Sequence, residues 1–112
     1  MESLDDLAYK CNLTSRAKGF WDHEVLDVDP AEMREIKNPS IYGEKIALMH
    51  SELSEALEAC RDGDRDQEEE ELADTIIRIL DYCHARGFSM DKAVYAKMER
   101  NTQRPHLHGR KW

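Results

Sequence analysis

Four carboxylates, arranged as two pairs at helical spacing, are the most informative residues of this chain. Glu52 and Glu55 lie three residues apart in "HSELSEALEAC", and Glu71 and Asp74 repeat that spacing in "EEEELADTIIRIL". Side chains three apart on a helix project from one face, so two antiparallel helices would bring the four groups together. Because crowded carboxylates repel unless a cation neutralises them, and hard oxygen ligands select Mg²⁺, Mn²⁺ or Ca²⁺, the pattern predicts a divalent metal site.

A basic segment near the end of the chain offers a complementary group. Lys97, Asn101 and Arg104 are spaced i, i+4 and i+7, which lines one helical face with an ammonium, an amide and a guanidinium. Such a face suits phosphate oxygens, which arginine binds bidentately and lysine binds as a point charge. The alternative is an ordinary basic helix end that complements the helix dipole.

An aromatic segment lies in an irregular stretch after the first helical pattern. Trp21, with Phe20 and His23 nearby, is a candidate for stacking on a nucleobase. A hydrophobic plug over the end of the helices is the alternative interpretation of the same residues.

Two other metal motifs fail on their spacing. The aspartates of "RDGDRD" imitate the start of a calcium loop, but the sixth position is Gln67 and the twelfth is Ala73 instead of a bidentate Glu. A di-iron site would need E-x-x-H pairs, and neither His50 nor His84 lies three residues after a Glu of the proposed set.

Helices are predicted to carry the carboxylate pairs and the basic segment, since alternating runs typical of strands are absent. Gly19, Gly63 and Gly87 are predicted to end helices, and Ser89 to cap one. The predicted helices cover about residues 4–18, 39–61, 67–85 and 90–103, with a short helix at 30–35. The sequence therefore predicts an all-α fold with the carboxylate pairs on its second and third long helices.

The two carboxylate-bearing helices each carry an apolar stripe. On the earlier helix the stripe consists of Ile46, Met49, Leu53, Ala56, Leu57 and Cys60. On the later helix it consists of Leu72, Ala73, Ile76, Ile79, Leu80 and Cys83. The carboxylate pairs lie outside the main seam, nearer a second apolar line that includes Leu48 and Ile77. Because helices that are apolar on more than one side need a second partner, we predict a dimer whose subunits pack alongside the metal site.

Length and composition narrow the class of protein. A chain of 112 residues predicts one domain, 1–112, and the net charge of -8 disfavours nucleic acid as a partner. Three cysteines without C-x-x-C spacing indicate neither a disulfide framework nor a zinc site, and each is predicted to be a small buried residue. The acidic start has no apolar signal core, and no run approaches membrane length, so a cytoplasmic location is expected.

Three segments resemble the MazG-like, all-α nucleoside triphosphate pyrophosphohydrolases. They are "KIALMHSELSEALEACRDGD", "EELADTIIRILDYCHARG" and "AKMERNTQRPHLHGRKW", and the likeness runs from about Gly19 to the end of the chain. The resemblance implies a four-helix bundle that assembles as a dimer or tetramer. It also implies that the four carboxylates bind Mg²⁺, with Mn²⁺ as a substitute, and that the basic face binds phosphate. The site residues implied are Glu52, Glu55, Glu71 and Asp74 for the metal, Lys97, Asn101 and Arg104 for phosphate, and Trp21 and His23 for the base.

The reaction that this resemblance implies is hydrolysis of a deoxynucleoside or modified nucleoside triphosphate to the monophosphate and pyrophosphate. A carboxylate of the Glu52/Glu55 pair would orient or deprotonate the attacking water. Two alternatives remain open. One is a phosphoribosyl-ATP pyrophosphohydrolase, which would use the same metal site on a different substrate. The other is a non-catalytic helical interaction module whose acidic pairs form a solvated face.

Overall fold

A computed structural model describes residues 2–21 and 40–109 of the chain. The described residues form four α-helices and one short 3₁₀ helix, without a strand. The helices are α1 (Leu4–Ala17), α2 (Ser40–Arg61), α3 (Arg65–Ala85), α4 (Met90–Thr102) and the 3₁₀ helix His106–Gly109. The predicted all-α fold is confirmed, and the four long helices lie within two residues of their predicted bounds. The short helix expected at 30–35 falls outside the described residues.

The turn between α2 and α3 is determined by local sequence. Gly63 has a φ of +74°, a left-handed conformation that glycine adopts without strain. The carboxylate of Asp64 then accepts a hydrogen bond from the backbone N–H of Gln67 at 3.1 Å, which caps the next helix. Because of this cap α3 begins at Arg65, two residues earlier than the sequence indicated. The tight turn makes α2 and α3 antiparallel neighbours.

The amino-terminal ends of α1 and α4 cap each other. Asp5 accepts hydrogen bonds from the hydroxyl of Ser89 at 2.6 Å and from the backbone N–H of Met90 at 2.8 Å. Asp91 in turn accepts from the backbone N–H groups of Leu4 and Asp5, at 3.0 and 3.2 Å. Bonding to Ser89, with further donors in α4, holds the pKa of Asp5 below its usual value. The exchange joins two helix ends that are 80-odd residues apart in sequence.

The core lies where α1 and α2 pack on α3. Its centre consists of the buried Trp21, Ile41, Tyr82 and Ala85. The buried carboxylate of Asp81 lies in this core and accepts hydrogen bonds from Asn12 Nδ2 at 2.8 Å and from Trp21 Nε1 at 3.0 Å. Since both donors are themselves buried, the three side chains fix α1, α3 and the segment after α1 relative to one another.

The apolar stripes that the sequence indicated are only partly buried: Ala56, Leu80 and Cys83 are buried, but most of the large apolar members are exposed. Glu52 and Glu71 are buried at the interface of α2 and α3, together with small residues such as Ala56 and Thr75. The prediction was wrong for the exposed leucines and isoleucines of the stripes, because small side chains let the two helices approach closely while these larger side chains point outward. An outer apolar face therefore remains exposed, consisting of Ile46, Leu53 and Leu57 of α2 with Leu72, Ile76 and Ile79 of α3.

The three cysteines are free, as expected, but only Cys83 is buried. Cys11 is half-buried and Cys60 is exposed, so the prediction of burial was wrong for Cys60, which follows the outward-facing stripe of α2. Of the helices in the described ranges, none combines the length and the apolar character needed to cross a membrane.

Candidate metal centre and adjoining cavity

Three of the four predicted metal ligands converge between α2 and α3. One carboxylate oxygen from each of Glu52, Glu55 and Glu71 lies within 4.8 Å of the others. Glu52 and Glu55 occupy successive turns of α2, and Glu71 faces them from α3 because the Gly63 turn makes the two helices antiparallel. Glu52 and Glu71 are buried and Glu55 is exposed, so the cluster opens to solvent on one side.

The close approach of the three carboxyl groups alters their pKa values. Hydrogen bonds with the carboxylates of Glu55 and Glu52, together with desolvation, raise the pKa of Glu71 to about 7, against the opposing bond from Gln67. Desolvation also disfavours ionisation of Glu52, but the guanidinium of Arg78 and the proton held on Glu71 outweigh it and lower the pKa of Glu52. The proton on Glu71 and the guanidinium of Arg78 thus offset part of the negative charge of the three carboxylates.

The donor set fits a divalent cation. As a carboxylate, Glu71 would leave Oε2 buried without a hydrogen-bond donor among the described residues. A metal ion would satisfy that oxygen and replace the shared proton, since Mg²⁺, Mn²⁺ and Ca²⁺ bind oxygen ligands at about 2.0–2.6 Å. The oxygens of Glu52, Glu55 and Glu71 are close enough for one ion to draw them together.

The fourth predicted ligand, Asp74, is not part of the close group. It lies one turn beyond Glu71 on α3, is exposed, and lines the cavity that adjoins the cluster. Its carboxylate therefore faces the same space as Glu52. Its role as a metal ligand stays a prediction.

The cavity beside the cluster has the size and lining of a small-molecule site. Its volume is about 460 Å³, within the range of about 300–1,000 Å³ typical of ligand pockets. The carboxylates of Glu52 and Asp74 share the lining with the cations Lys45 and Arg78. The lining also includes residues of α1 and its C-cap, namely Lys10, Cys11, Thr14, Ser15 and Lys18. Carboxylates beside cations in one cavity can hold a metal ion and a polyanion together.

The aromatic segment after α1 forms part of the same lining. Trp21 is only 2% exposed and its indole N–H is bonded to Asp81, whereas the ring of Phe20 is half exposed. The ammonium of Lys45 donates to the backbone carbonyl of Phe20 and lies 4.6 Å from the centre of the Trp21 ring. Burial lowers the pKa of Lys45, with Asp81 opposing that effect. The second predicted base contact, His23, lies outside the described residues.

The predicted phosphate-binding residues lie apart from this cavity. Lys97 and Asn101 belong to α4 and Arg104 follows it, and no described residue of α4 lines the cavity. Lys97 and Arg104 are exposed. The amide of Asn101 is half-buried, and its Oδ1 has no donor among the described residues. Their contact with phosphate stays a prediction.

Sequence reasoning missed several residues of the site. Arg78 follows Glu71 by seven residues and Lys45 precedes Glu52 by seven, a spacing that places each cation on the same helix face as its carboxylate. That spacing was a usable signal. The α1 part of the lining had a weaker signal, the i, i+4, i+8 series of Lys10, Thr14 and Lys18.

The part of the chain that carries the carboxylate cluster matches a known protein family. Residues 44–108, more than half of the chain, match the family model of the MazG nucleotide pyrophosphohydrolase domain. This range contains all four predicted metal ligands, Lys45 and Arg78, but not α1 or Trp21. Searches of curated proteins and of solved structures find no match.

Proposed function

The chain belongs to the MazG nucleotide pyrophosphohydrolase family, and from this premise we propose that residues 1–112 form one Mg²⁺-dependent catalytic domain. As a member of that family it is a hydrolase that acts on nucleoside triphosphates. In our proposal the substrate is a deoxynucleoside or modified nucleoside triphosphate, and the products are the monophosphate and pyrophosphate. The observation that carries the proposal is the carboxylate cluster within the matched range, which opens beside a cavity of about 460 Å³ with its own cations.

Different residues of the site would bind the metal, activate the water and stabilise the leaving group. Glu52, Glu55 and Glu71, with Asp74 from the cavity wall, would hold the metal, which when bound neutralises triphosphate charge and acidifies a water molecule. A carboxylate of the Glu52/Glu55 pair orients that water and accepts its proton as the oxygen attacks the α-phosphorus. The bond from the α-phosphorus to the bridging oxygen breaks, and pyrophosphate leaves with the bonding electrons. Cations that line the cavity stabilise the charge that develops on it.

The nucleoside part of the substrate has its own contacts. In this proposal the nucleoside contacts Thr14 and Ser15 of α1 and the aromatic residues Phe20 and Trp21, all of which line the cavity. Since Phe20 exposes half of its ring, it is the aromatic surface available for stacking, while Trp21 supports it from the core.

We also infer that the protein works as a homodimer or a homotetramer. Leu57 and Ile76 of the outer apolar face are 51% and 57% exposed, and further apolar residues of α2 and α3 continue that face along both helices. A second copy of the same face would cover it symmetrically. Such an assembly also offers a route for Lys97, Asn101 and Arg104 to reach a bound triphosphate from the α4 of the neighbouring copy.

A panel of nucleotides with pyrophosphate detection tests the proposal. We expect release in Mg²⁺ and in Mn²⁺ from at least one canonical or modified nucleotide, with phosphoribosyl-ATP included as the test of the alternative substrate. Glu52→Gln should abolish release, whereas Glu58→Gln, an exposed glutamate of α2 outside the cluster, should not. Absence of metal-dependent release from every member of the panel would refute the enzymatic proposal.

A further inference from the structure

Arg78 forms an ion pair with a residue that the metal site needs. Its Nε donates a hydrogen bond to Glu52 Oε1 at 2.8 Å. The Glu52 side chain is 11% exposed and that of Arg78 is 33% exposed, so the pair lies at the inner surface of the cavity. Arg78 therefore neutralises a carboxylate that would bind a cation.

Lys45, another cation of the cavity, is held differently. The ammonium of Lys45 donates to the backbone carbonyl of Phe20 and lies against the Trp21 ring, so it is fixed by groups outside the cluster. Lys45 lies seven residues from Glu52 and Arg78 seven residues from Glu71, about 10 Å along each helix axis at about 1.5 Å per residue. The backbones of Lys45 and Arg78 thus each lie about two turns from the cluster carboxylate on their own helix, and the Arg78 side chain reaches across to Glu52.

Divalent metal and Arg78 compete for the same carboxylate. A metal ion on Glu52 would place its positive charge next to the guanidinium, which is unfavourable in a partly desolvated site. The planar guanidinium binds phosphate oxygens as well as it binds carboxylate oxygens, and it can form two parallel hydrogen bonds to them. A phosphate chain in the cavity therefore offers Arg78 a new partner when Glu52 binds the metal.

We propose that Arg78 is an exchangeable counter-ion: it pairs with Glu52 in the metal-free protein and transfers to a phosphate of the substrate when the metal binds. This inference rests on the proposed function, because the phosphate belongs to the bound triphosphate. It makes the binding of metal and phosphate mutually dependent. Metal alone must displace an arginine, whereas metal together with a phosphate chain satisfies Glu52 and Arg78 at once.

Arg78→Gln tests this exchange because it should change two affinities in opposite directions. Binding of Mn²⁺ alone, measured by calorimetry or by the paramagnetic signal of free Mn²⁺, should strengthen about tenfold, since the competing guanidinium is gone. Binding of Mg²⁺-saturated inorganic tripolyphosphate should weaken about tenfold, because the bidentate phosphate contact is lost. Arg65→Gln is the matched control: Arg65 is an exposed residue of α3 outside the cavity lining, and its loss should change neither affinity.

A purely structural role for Arg78 would give a different result. Helicity equal to that of the wild type first establishes that Arg78→Gln is folded. If the folded variant bound both Mn²⁺ and tripolyphosphate more weakly, or left Mn²⁺ binding unchanged, the exchange would be refuted. Arg78→Lys keeps the charge without the planar fork, so it should leave Mn²⁺ binding near the wild-type value and weaken tripolyphosphate binding. The Mn²⁺ measurement needs no turnover. If the wild-type protein releases pyrophosphate but Arg78→Gln binds Mn²⁺ with unchanged affinity, the exchange is refuted and the proposed function is not.

Discussion

Metal binding should depend steeply on pH below neutrality, because Glu71 must lose a proton before it can act as a ligand. The neighbouring carboxylates of Glu55 and Glu52, with desolvation, raise the pKa of Glu71 to about 7. At that pKa about nine in ten Glu71 carboxyls carry a proton at pH 6, about half at pH 7 and about one in ten at pH 8. Because the metal takes only the ionised form, the apparent affinity should fall about tenfold from pH 8 to pH 6.

Calorimetric titration with Mn²⁺ in buffers of different ionisation enthalpy measures both quantities. The protein should release about 0.9 proton per site at pH 6 and about 0.1 at pH 8. No histidine lines the described part of the cavity, so Glu71 is the group expected to titrate in this range. Gln67→Ala removes a hydrogen bond that lowers the pKa of Glu71, and it should move the midpoint of the pH dependence upward.

Glu69→Gln provides the control, because Glu69 is an exposed glutamate on α3 outside the cluster and should leave the pH dependence unchanged. The free energy of unfolding of the metal-free protein should also depend on the protonation of Glu71, but in the opposite sense. Protonation of Glu71 stabilises the fold, whereas it opposes metal binding. A folded-state pKa above the unfolded value of 4.5 gives a stabilising contribution that is full below pH 4.5 and is lost as the pH rises through about 7. A proton release at pH 6 indistinguishable from that at pH 8 would refute this account of the cluster.

Further predictions concern the contribution of α4 to the site, the selectivity of the cavity and two glycines. If the α4 region of one copy serves the site of another, mixing Glu71→Gln protein with Arg104→Ala protein should restore about a quarter of the wild-type activity in a randomly reassorted dimer. No restoration after verified subunit exchange would mean that both residues act within one chain. Thr14→Val should change kcat/KM for some nucleotides more than others, because it removes a hydroxyl from the cavity wall; an equal change across a nucleotide panel would exclude a selective role. Gly63→Ala should destabilise the protein by about 1 kcal/mol in urea unfolding, since its φ is +74° although the surroundings have room for a Cβ. Gly43→Ala, with equally open surroundings inside α2, should stabilise it by about 0.5–1 kcal/mol, and destabilisation by both changes would contradict this reasoning.

The convergence of Glu52, Glu55 and Glu71 was largely predictable because it depends on local rules. The spacing of Glu52 and Glu55 fixes their shared face on α2, and the Gly63 turn fixes the direction of α3. Those two facts bring Glu71 opposite the first pair without any knowledge of the rest of the protein. The position of Asp74 was less predictable, since a small rotation of α3 decides whether its carboxylate joins the cluster or faces the cavity.

The inward-facing sides of the helices were not predictable from the apolar pattern. On α2 the large side chains of Leu53 and Leu57 and the small ones of Ala56 and Ala59 lie on different faces, and both faces are apolar. Hydrophobicity alone favours burial of the leucines. Close packing of α2 on α3 favours the alanine face, and the leucines remain exposed on the outer apolar face.

Local signals in the amino-acid sequence were enough to predict the helices, their approximate ends and the spacing of the carboxylates, because caps, glycine turns and residue spacing act over a few residues. The surroundings of those carboxylates depend on tertiary packing instead. That packing places Arg78 on Glu52, brings Glu52 and Glu55 close enough to raise the pKa of Glu71, and brings one face of α1 to the cavity. These features depend on how whole helices rotate and pack, and many rotations satisfy the same local pattern.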